Sequence, residues 1–195
     1  MFLAQRPSAA ALERFLEASR DRPLSYRPVG IVRKTPLKGR LDEQVVAIGH
    51  GDDDLQRARV ALAAWKQFDL GWVEIFPKAA PVEVGTVVAV LVRHFGFWSL
   101  NGCRIVYLAS SPQNEGHFGF AYGTLTNHAE SGEELFEVFI DPRRGDVMYR
   151  IRAISWPQAM LARIGHPLAR MLQSRFRNDS AAAMRRAIAS DQYRS

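Results

Sequence analysis

The sequence predicts an α+β fold in which a curved antiparallel sheet of about seven strands wraps round a long C-terminal helix. Three observations support this. Six strand-like runs follow one another after Gly71, separated by turn signals spaced as in an antiparallel meander. Helical periodicity comes before and after them. The terminal segment is the one long amphipathic element left to cover the inner face of such a sheet.

Taken in order, Ser8 followed by AAALERFLEAS reads as a short capped helix with Leu12, Phe15, Leu16 and Ser19 on one face. Tyr26 to Val32 is expected to form the first strand, and TPLKGRLDEQ, with Pro36 and Gly39, a turn and exposed connection. Asp52, Asp53 and Asp54 suit the positive end of a helix dipole, and Leu55, Arg59, Leu62, Trp65 and Lys66 follow at helical intervals. The strand runs are WVEIFP, GTVVAVLVRHFGFWSL, GCRIVYLAS, HFGFAYGTL, EELFEVFID and DVMYRIRAIS. Their turns are expected at Pro77 to Pro81, Asn101-Gly102, Ser110 to Gly116 and Asp141 to Gly145, with a loop holding His128, Glu130, Glu133 and Glu134 between the fourth and fifth runs. Leu161, Ile164, Leu168, Met171, Leu172 and Phe176 mark the terminal apolar stripe, with an interruption near His166.

One domain is expected over 1–195: a helical extension at 1–22, a core at 23–177 and a basic tail at 178–195. Hydrophobic residues make up 47% and charged residues 24%, a globular balance that excludes disordered and fibrous classes. The net charge of +6 resides entirely in residues 152 to 195. Those arginines, Arg163, Arg170, Arg175, Arg177, Arg185 and Arg186 among them, fit the solvent side of a helix and lack an aromatic platform, so nucleic-acid binding is not expected. Cys103, the lone cysteine, reads as a small buried thiol, and with no signal-like or 18-residue apolar stretch a cytoplasmic chain without stable membrane insertion is expected.

The most chemistry-bearing stretch is the hairpin from His117 to Phe136. Alternation puts Phe118, Phe120, Tyr122 and Thr124 on one face, with Gly119, Ala121, Gly123 and Leu125 on the other, and leaves open which face points inward. If the aromatic face lines an interior cavity, Phe118, Phe120, Tyr122, Thr124 and His128 are the ligand-contacting candidates for a small, mostly apolar molecule. If the chain is an enzyme, His128 paired with Glu133 or Glu134 is the candidate acid/base group. The H-x-E-x-x-E-E spacing matches no zinc or di-metal pattern, and neither a nucleophile elbow nor a phosphate loop is present, so no metal and no cofactor is implied.

The run FGFAYGTL at Phe118 to Leu125, with His128, Gly132-Glu133-Glu134, Phe136, CRIVY at Cys103 to Tyr107 and LARIGHPLARMLQ at Leu161 to Gln173, resembles the DUF1990 family over about Tyr26 to Phe176. Two departures are Asn127, where a glycine is typical, and Ser155-Trp156-Pro157, where the family usually reads Ser-Arg-Pro; the latter weakens any anion site at the helix start. The family is uncharacterised. Its element order is similar to that of the helix-grip, START-like proteins of lipid-transfer and polyketide-cyclase type, a fold-level analogy that implies a helix-grip core; the cavity is expected from the architecture itself, since a strongly curved sheet over one helix often leaves more room than side chains fill.

Overall fold

The computed structural model describes residues 2–34, 40–109, 116–157 and 166–191. Seven strands form one antiparallel sheet. In chain order they are β2 (Arg40–His50), β3 (Val73–Phe76), β4 (Val87–His94), β5 (Phe97–Leu108), β6 (His117–Thr124), β7 (Glu130–Ile140) and β8 (Asp146–Pro157), and in space they run β2-β8-β7-β6-β5-β4-β3. A two-residue β1 (Phe2–Leu3) pairs with β5 beside this path. The helices are α1 (Ala9–Ser19), α2 (Gly51–Ala63) and α3 (His166–Asp191). A curved antiparallel sheet closed by a C-terminal helix is the helix-grip α+β fold expected from the sequence.

The first helix starts at its expected Ser8 cap, and Asp52, Asp53 and Asp54 lie in the first turn of α2 as expected. The Ser8 side chain accepts from the Ala11 N–H at 3.3 Å, and Leu12 of α1 is buried against Ala89, Leu91 and Leu100 on the convex side of β4 and β5. The Asp54 carboxylate accepts from the His50 N–H at 2.7 Å and pairs with Arg57, tying the start of α2 to the end of β2. These contacts hold the Asp54 carboxyl below its ordinary range.

Three boundaries differ from the sequence reading, each for a local reason. Tyr26 to Val32 is not a strand but a loop ending in a 3-10 turn at Ile31–Arg33; the first long strand, Arg40–His50, begins within the segment read as an exposed connection and runs past its end. Pro28 and left-handed Gly30 break the Tyr26 run, and the Gly30 and Val32 amides are satisfied by a side chain, Glu133, instead of a ladder. Asn101-Gly102 is not a turn either. Both lie inside β5, and the chain reverses at Phe95-Gly96, where both residues have positive φ (49° and 81°) as a two-residue type I′ hairpin requires. The third difference is the helix end: α3 continues to Asp191, and the segment from 178 onward, read as a tail, buries Ser180, Ala181, Ala183, Met184 and Ile188. Pro157, near which the sequence places the start of the terminal helix, ends β8; Leu161, Ile164 and Gly165 lie outside the described residues, and α3 is described from His166.

The interior lies on the concave side. Val88, Val90, Cys103, Ile105, Phe120, Tyr122, Phe136, Val138, Tyr149 and Ile151 face it from the sheet, and Leu55, Leu62, Trp65, Phe68, Met184 and Ile188 face it from the helical side. The cover is thus shared between α3, α2 and the 3-10 turn at Lys66–Phe68, not supplied by α3 alone. Rings interlock: Phe136 lies 5.4 Å from Phe68, 5.7 Å from Phe120, 5.6 Å from Tyr122 and 6.3 Å from Phe176, centroid to centroid. On the convex side Val32 packs against Ala121, Leu135 and Ile154, so the Tyr26 loop covers the part of the sheet that α1 does not.

Candidate functional site

The aromatic face of β6 points inward, which resolves the choice the sequence left open. Phe120 and Tyr122 are buried in the interior, and Phe118 packs at its margin with the Arg59 guanidinium 5.9 Å from its ring. The small face packs against the Tyr26 loop: a Cβ on Gly123 would come 2.4 Å from the Tyr26 hydroxyl, so glycine permits the close approach.

Glu130, Glu133 and Glu134 belong to β7 rather than to the preceding loop, and strand alternation sends neighbouring carboxylates to opposite faces. Glu133 points to the convex side. It is 2% exposed and accepts from the Tyr26 hydroxyl at 2.6 Å, the Gly30 N–H at 2.8 Å, the Tyr107 hydroxyl at 3.0 Å and the Val32 N–H at 3.4 Å. Arg33 stacks 3.8 Å over the Tyr107 ring. Burial together with the adjoining carboxylate pushes both phenols above their ordinary range. This carboxylate anchors the loop.

Glu134 points inward. It stands directly opposite Tyr122 in the β6–β7 register, and the Tyr122 hydroxyl donates to it at 2.6 Å. Burial, with Glu130 nearby, pushes the Glu134 carboxyl up to about 7 against the opposing pull of Tyr122 and Arg177. Around it, the Gln173 amide of α3 donates to Glu130 at 3.2 Å and to the Ser155 hydroxyl at 3.1 Å, and farther along the helix Ser180 meets the Tyr149 hydroxyl at 2.8 Å. The inward face of the sheet is thus a packed aromatic surface that carries the Glu134 carboxyl and the Tyr122 phenol, with α3 hydrogen-bonded to the sheet on either side. Close to neutral pH such a carboxyl can accept or release a proton.

His128 and Thr124 are used locally. The His128 Nδ1 accepts from the Glu130 N–H at 2.9 Å, and burial lowers its pKa to about 4, so the imidazole is neutral at physiological pH. Among the described residues no hydrogen bond joins it to Glu133 or Glu134, and the acid/base pairing considered from sequence is not assembled. The Thr124 hydroxyl accepts from the Gly132 N–H at 2.8 Å and lies 2.6 Å from Ser25 Oγ, closing the neck of the hairpin. Among the described residues no three His, Cys, Asp or Glu side chains converge as a metal would need. Cys103 is buried and its thiol is pushed up by burial.

The sequence reading missed Gln173, Ser155, Arg177 and Gln67 as site residues. Tyr122 and Glu134 carried a usable signal, since they lie symmetrically about His128 and so pair in any hairpin centred there. Gln67 carried none. It is fully buried in the 3-10 turn beside Phe68, and neither its amide nitrogen nor its oxygen has a partner among the described residues.

Glu134 and His128 act on stability with opposite sign. Glu134 binds its proton more tightly folded than unfolded, so its contribution falls as pH rises from about 4.5 to about 7. His128 binds its proton more weakly folded, so its contribution rises between about 4 and about 6.5. Glu134→Gln is therefore expected to gain on the parent chain, by on the order of 2 kcal/mol, between pH 4.5 and pH 7.5. Urea melts across that range check it. A constant difference would mean that Glu134 is not shifted.

Comparison with known proteins bears on the family and the fold. The family described as Domain of unknown function (DUF1990) matches residues 25–183. A UPF0548 protein of Dictyostelium discoideum is 33% identical over 98% of both chains, and one of Deinococcus radiodurans is 32% identical over 90% of this chain and 92% of its own. Among solved structures, a Thalictrum flavum norcoclaurine synthase point mutant in complex with a transition-state analogue superposes with a TM-score of 0.51 at 11% identity, over 82% of this chain and 99% of its own. A Thermus thermophilus protein gives 0.51 at 10% identity, over 78% and 99%. At these identities the structures bear on fold alone, whereas the family match spans most of the chain and every strand from β2 to β8: the chain belongs to the DUF1990 family.

Proposed function

We propose that the chain binds a small, largely apolar molecule between the sheet and α3, oriented by Tyr122 and Glu134. The observation that carries the reading is the Tyr122–Glu134 pair set into an aromatic wall, a few polar groups in an apolar surround being the usual make-up of a small-molecule site. Two further features support it. The buried Gln67 amide has hydrogen-bonding capacity that no described residue uses, and α3 meets the sheet around Glu130 and Ser155 through the polar Gln173. Phe118 and Phe120 provide apolar surface, and burying a ligand would contribute about 25 cal/mol per Å². A cytoplasmic setting fits this reading; among the described residues no helix is long and apolar enough to cross a membrane.

A second reading is favoured by the position of the Glu134 carboxyl near pH 7: proton transfer to or from the bound molecule, in a cyclase, hydrolase or dehydratase type of reaction, with Glu134 in the acid/base role first considered for His128 with Glu133 or Glu134.

Native mass spectrometry of freshly purified protein, with Nile red titration, tests the binding reading. A retained small molecule or saturable one-to-one dye binding is expected, weakened about tenfold by Phe176→Ala and about threefold by Tyr122→Phe, with His128→Ala near the parent value. No retained mass and no saturable dye binding by a chain with native circular dichroism would remove it. An enzyme would instead lose turnover in Glu134→Gln while keeping affinity within a few-fold.

A further inference from the structure

The β4–β5 turn ends in Phe95-Gly96-Phe97, with Phe95 66% and Phe97 55% exposed. Single exposed apolar side chains are ordinary; two phenylalanines at one hairpin tip, Phe95 in the turn and Phe97 opening β5, are not. The turn itself does not call for them. Phe95 occupies left-handed backbone (φ 49°), where asparagine or glycine sits at lower cost.

The strand behind the tip is rooted. Trp98 packs with the Leu12, Leu91 and Leu100 cluster, and β1 pairs along its edge through Leu3. Opposite Trp98 in the register stands Arg93, which is exposed and has no acidic partner among the described residues. Glu74, one strand over, is engaged by Arg6 at 2.7 Å. The tip thus presents two rings with an uncompensated cation just behind them.

We propose that this tip docks reversibly on the surface of an anionic lipid bilayer, the two rings entering the interfacial layer and Arg93 meeting phosphate headgroups. A protein partner fits less well. At these exposures the two phenylalanines supply about 200–300 Å², against the roughly 800 Å² per side that a stable protein interface needs, and a convex hairpin tip offers no groove. A bilayer interface accepts a small aromatic tip and adds electrostatic attraction for the neighbouring cation. Antiparallel topology places this turn at the same end of the sheet as the β6–β7 connection and Glu130, so a docked molecule would hold that end toward the lipid. The proposal does not depend on the ligand reading.

Flotation of the full chain with phosphatidylcholine vesicles, with and without phosphatidylserine, tests it. The parent chain is expected to float with phosphatidylserine vesicles and to release as salt is raised. Phe95→Ser/Phe97→Ser should bind about tenfold or more weakly, and Arg93→Ser about fivefold more weakly on the anionic vesicles alone. Phe95→Asn suits the left-handed turn and guards against misfolding of the double variant; it should keep the parent melting temperature yet lose most of the binding. The proposal is overturned if the parent chain stays unbound on both vesicle types, or if the folded variants float equally well. It is also overturned if the parent self-associates, Phe95→Asn makes it monomeric and neither floats, since the tip would then be a contact between copies.

Discussion

Phe136→Ala is expected to destabilise the protein by about 3–5 kcal/mol, read as a lower urea midpoint with an unchanged slope. Phe136 is fully buried and its ring is met by Phe68, Phe120, Tyr122 and Phe176, which come from the 3-10 turn, β6 and α3. Those neighbours are mutually braced and cannot collapse into the space, so the cost combines lost transfer energy with an unfilled cavity. Phe176→Ala removes a ring from the same cluster, but on the partly exposed side of α3, and should cost less. Equal losses, or a loss below about 1 kcal/mol for Phe136→Ala, would show that the helix is not seated on the sheet through this ring.

Glu133→Ala should cost about as much for a different reason. It leaves two tyrosine hydroxyls and two backbone amides without their acceptor beneath a covered face, each buried donor costing about 1–3 kcal/mol if water cannot replace the carboxylate. A total on the order of 3–5 kcal/mol is expected. Tyr26→Phe and Tyr107→Phe should lose less, because each removes donor and demand together, and a double-mutant cycle with Glu133→Ala should show coupling above about 1 kcal/mol. Faster hydrogen exchange at the Gly30 and Val32 amides would mark release of the loop itself. Because Glu133 lies on the convex side, dye binding by the folded fraction should be unchanged. A nearly neutral Glu133→Ala, or one that abolishes binding without unfolding, would end its assignment as an anchor.

How much of this was legible in the sequence depended on the range of the information. The Ser8 cap, the acids opening α2 and the alternation of β6 are local, and each was legible. Asn101-Gly102 misled because a turn signal describes only what the backbone can do; here Asn101 reaches Ser99 and the Ala129 amide, and Gly102 makes room for the Asn127 side chain. The Tyr26 run has strand-like composition, but its polar groups found a partner 100 residues away in Glu133, which no periodicity reports. Within the site, Tyr122 and Glu134 were visible as residue types, and their partnership was readable once the hairpin is centred on His128. Gln173 and Ser155 depend on how α3 crosses the sheet, and neither strand nor helix periodicity encodes that angle.

An open sheet has two bare edges, and those of this protein are protected against recruiting a neighbouring chain. At one end β3 is only four residues long and is followed by Pro77, which leaves little template for a visiting strand. At the other, β2 is eleven residues long, but α3 lies along it: Arg185 donates two hydrogen bonds to the Ala47 carbonyl, at 2.8 and 3.1 Å, beside the bulge between Ala47 and Gly49, and Asn178 accepts from Gln44. An arginine that reads in sequence as a charged outer face thus engages a main-chain acceptor of the edge strand. Solubility during folding therefore rests on the last turns of the helix, and a chain stopped before Arg185 would expose β2 as a site for self-templated aggregation.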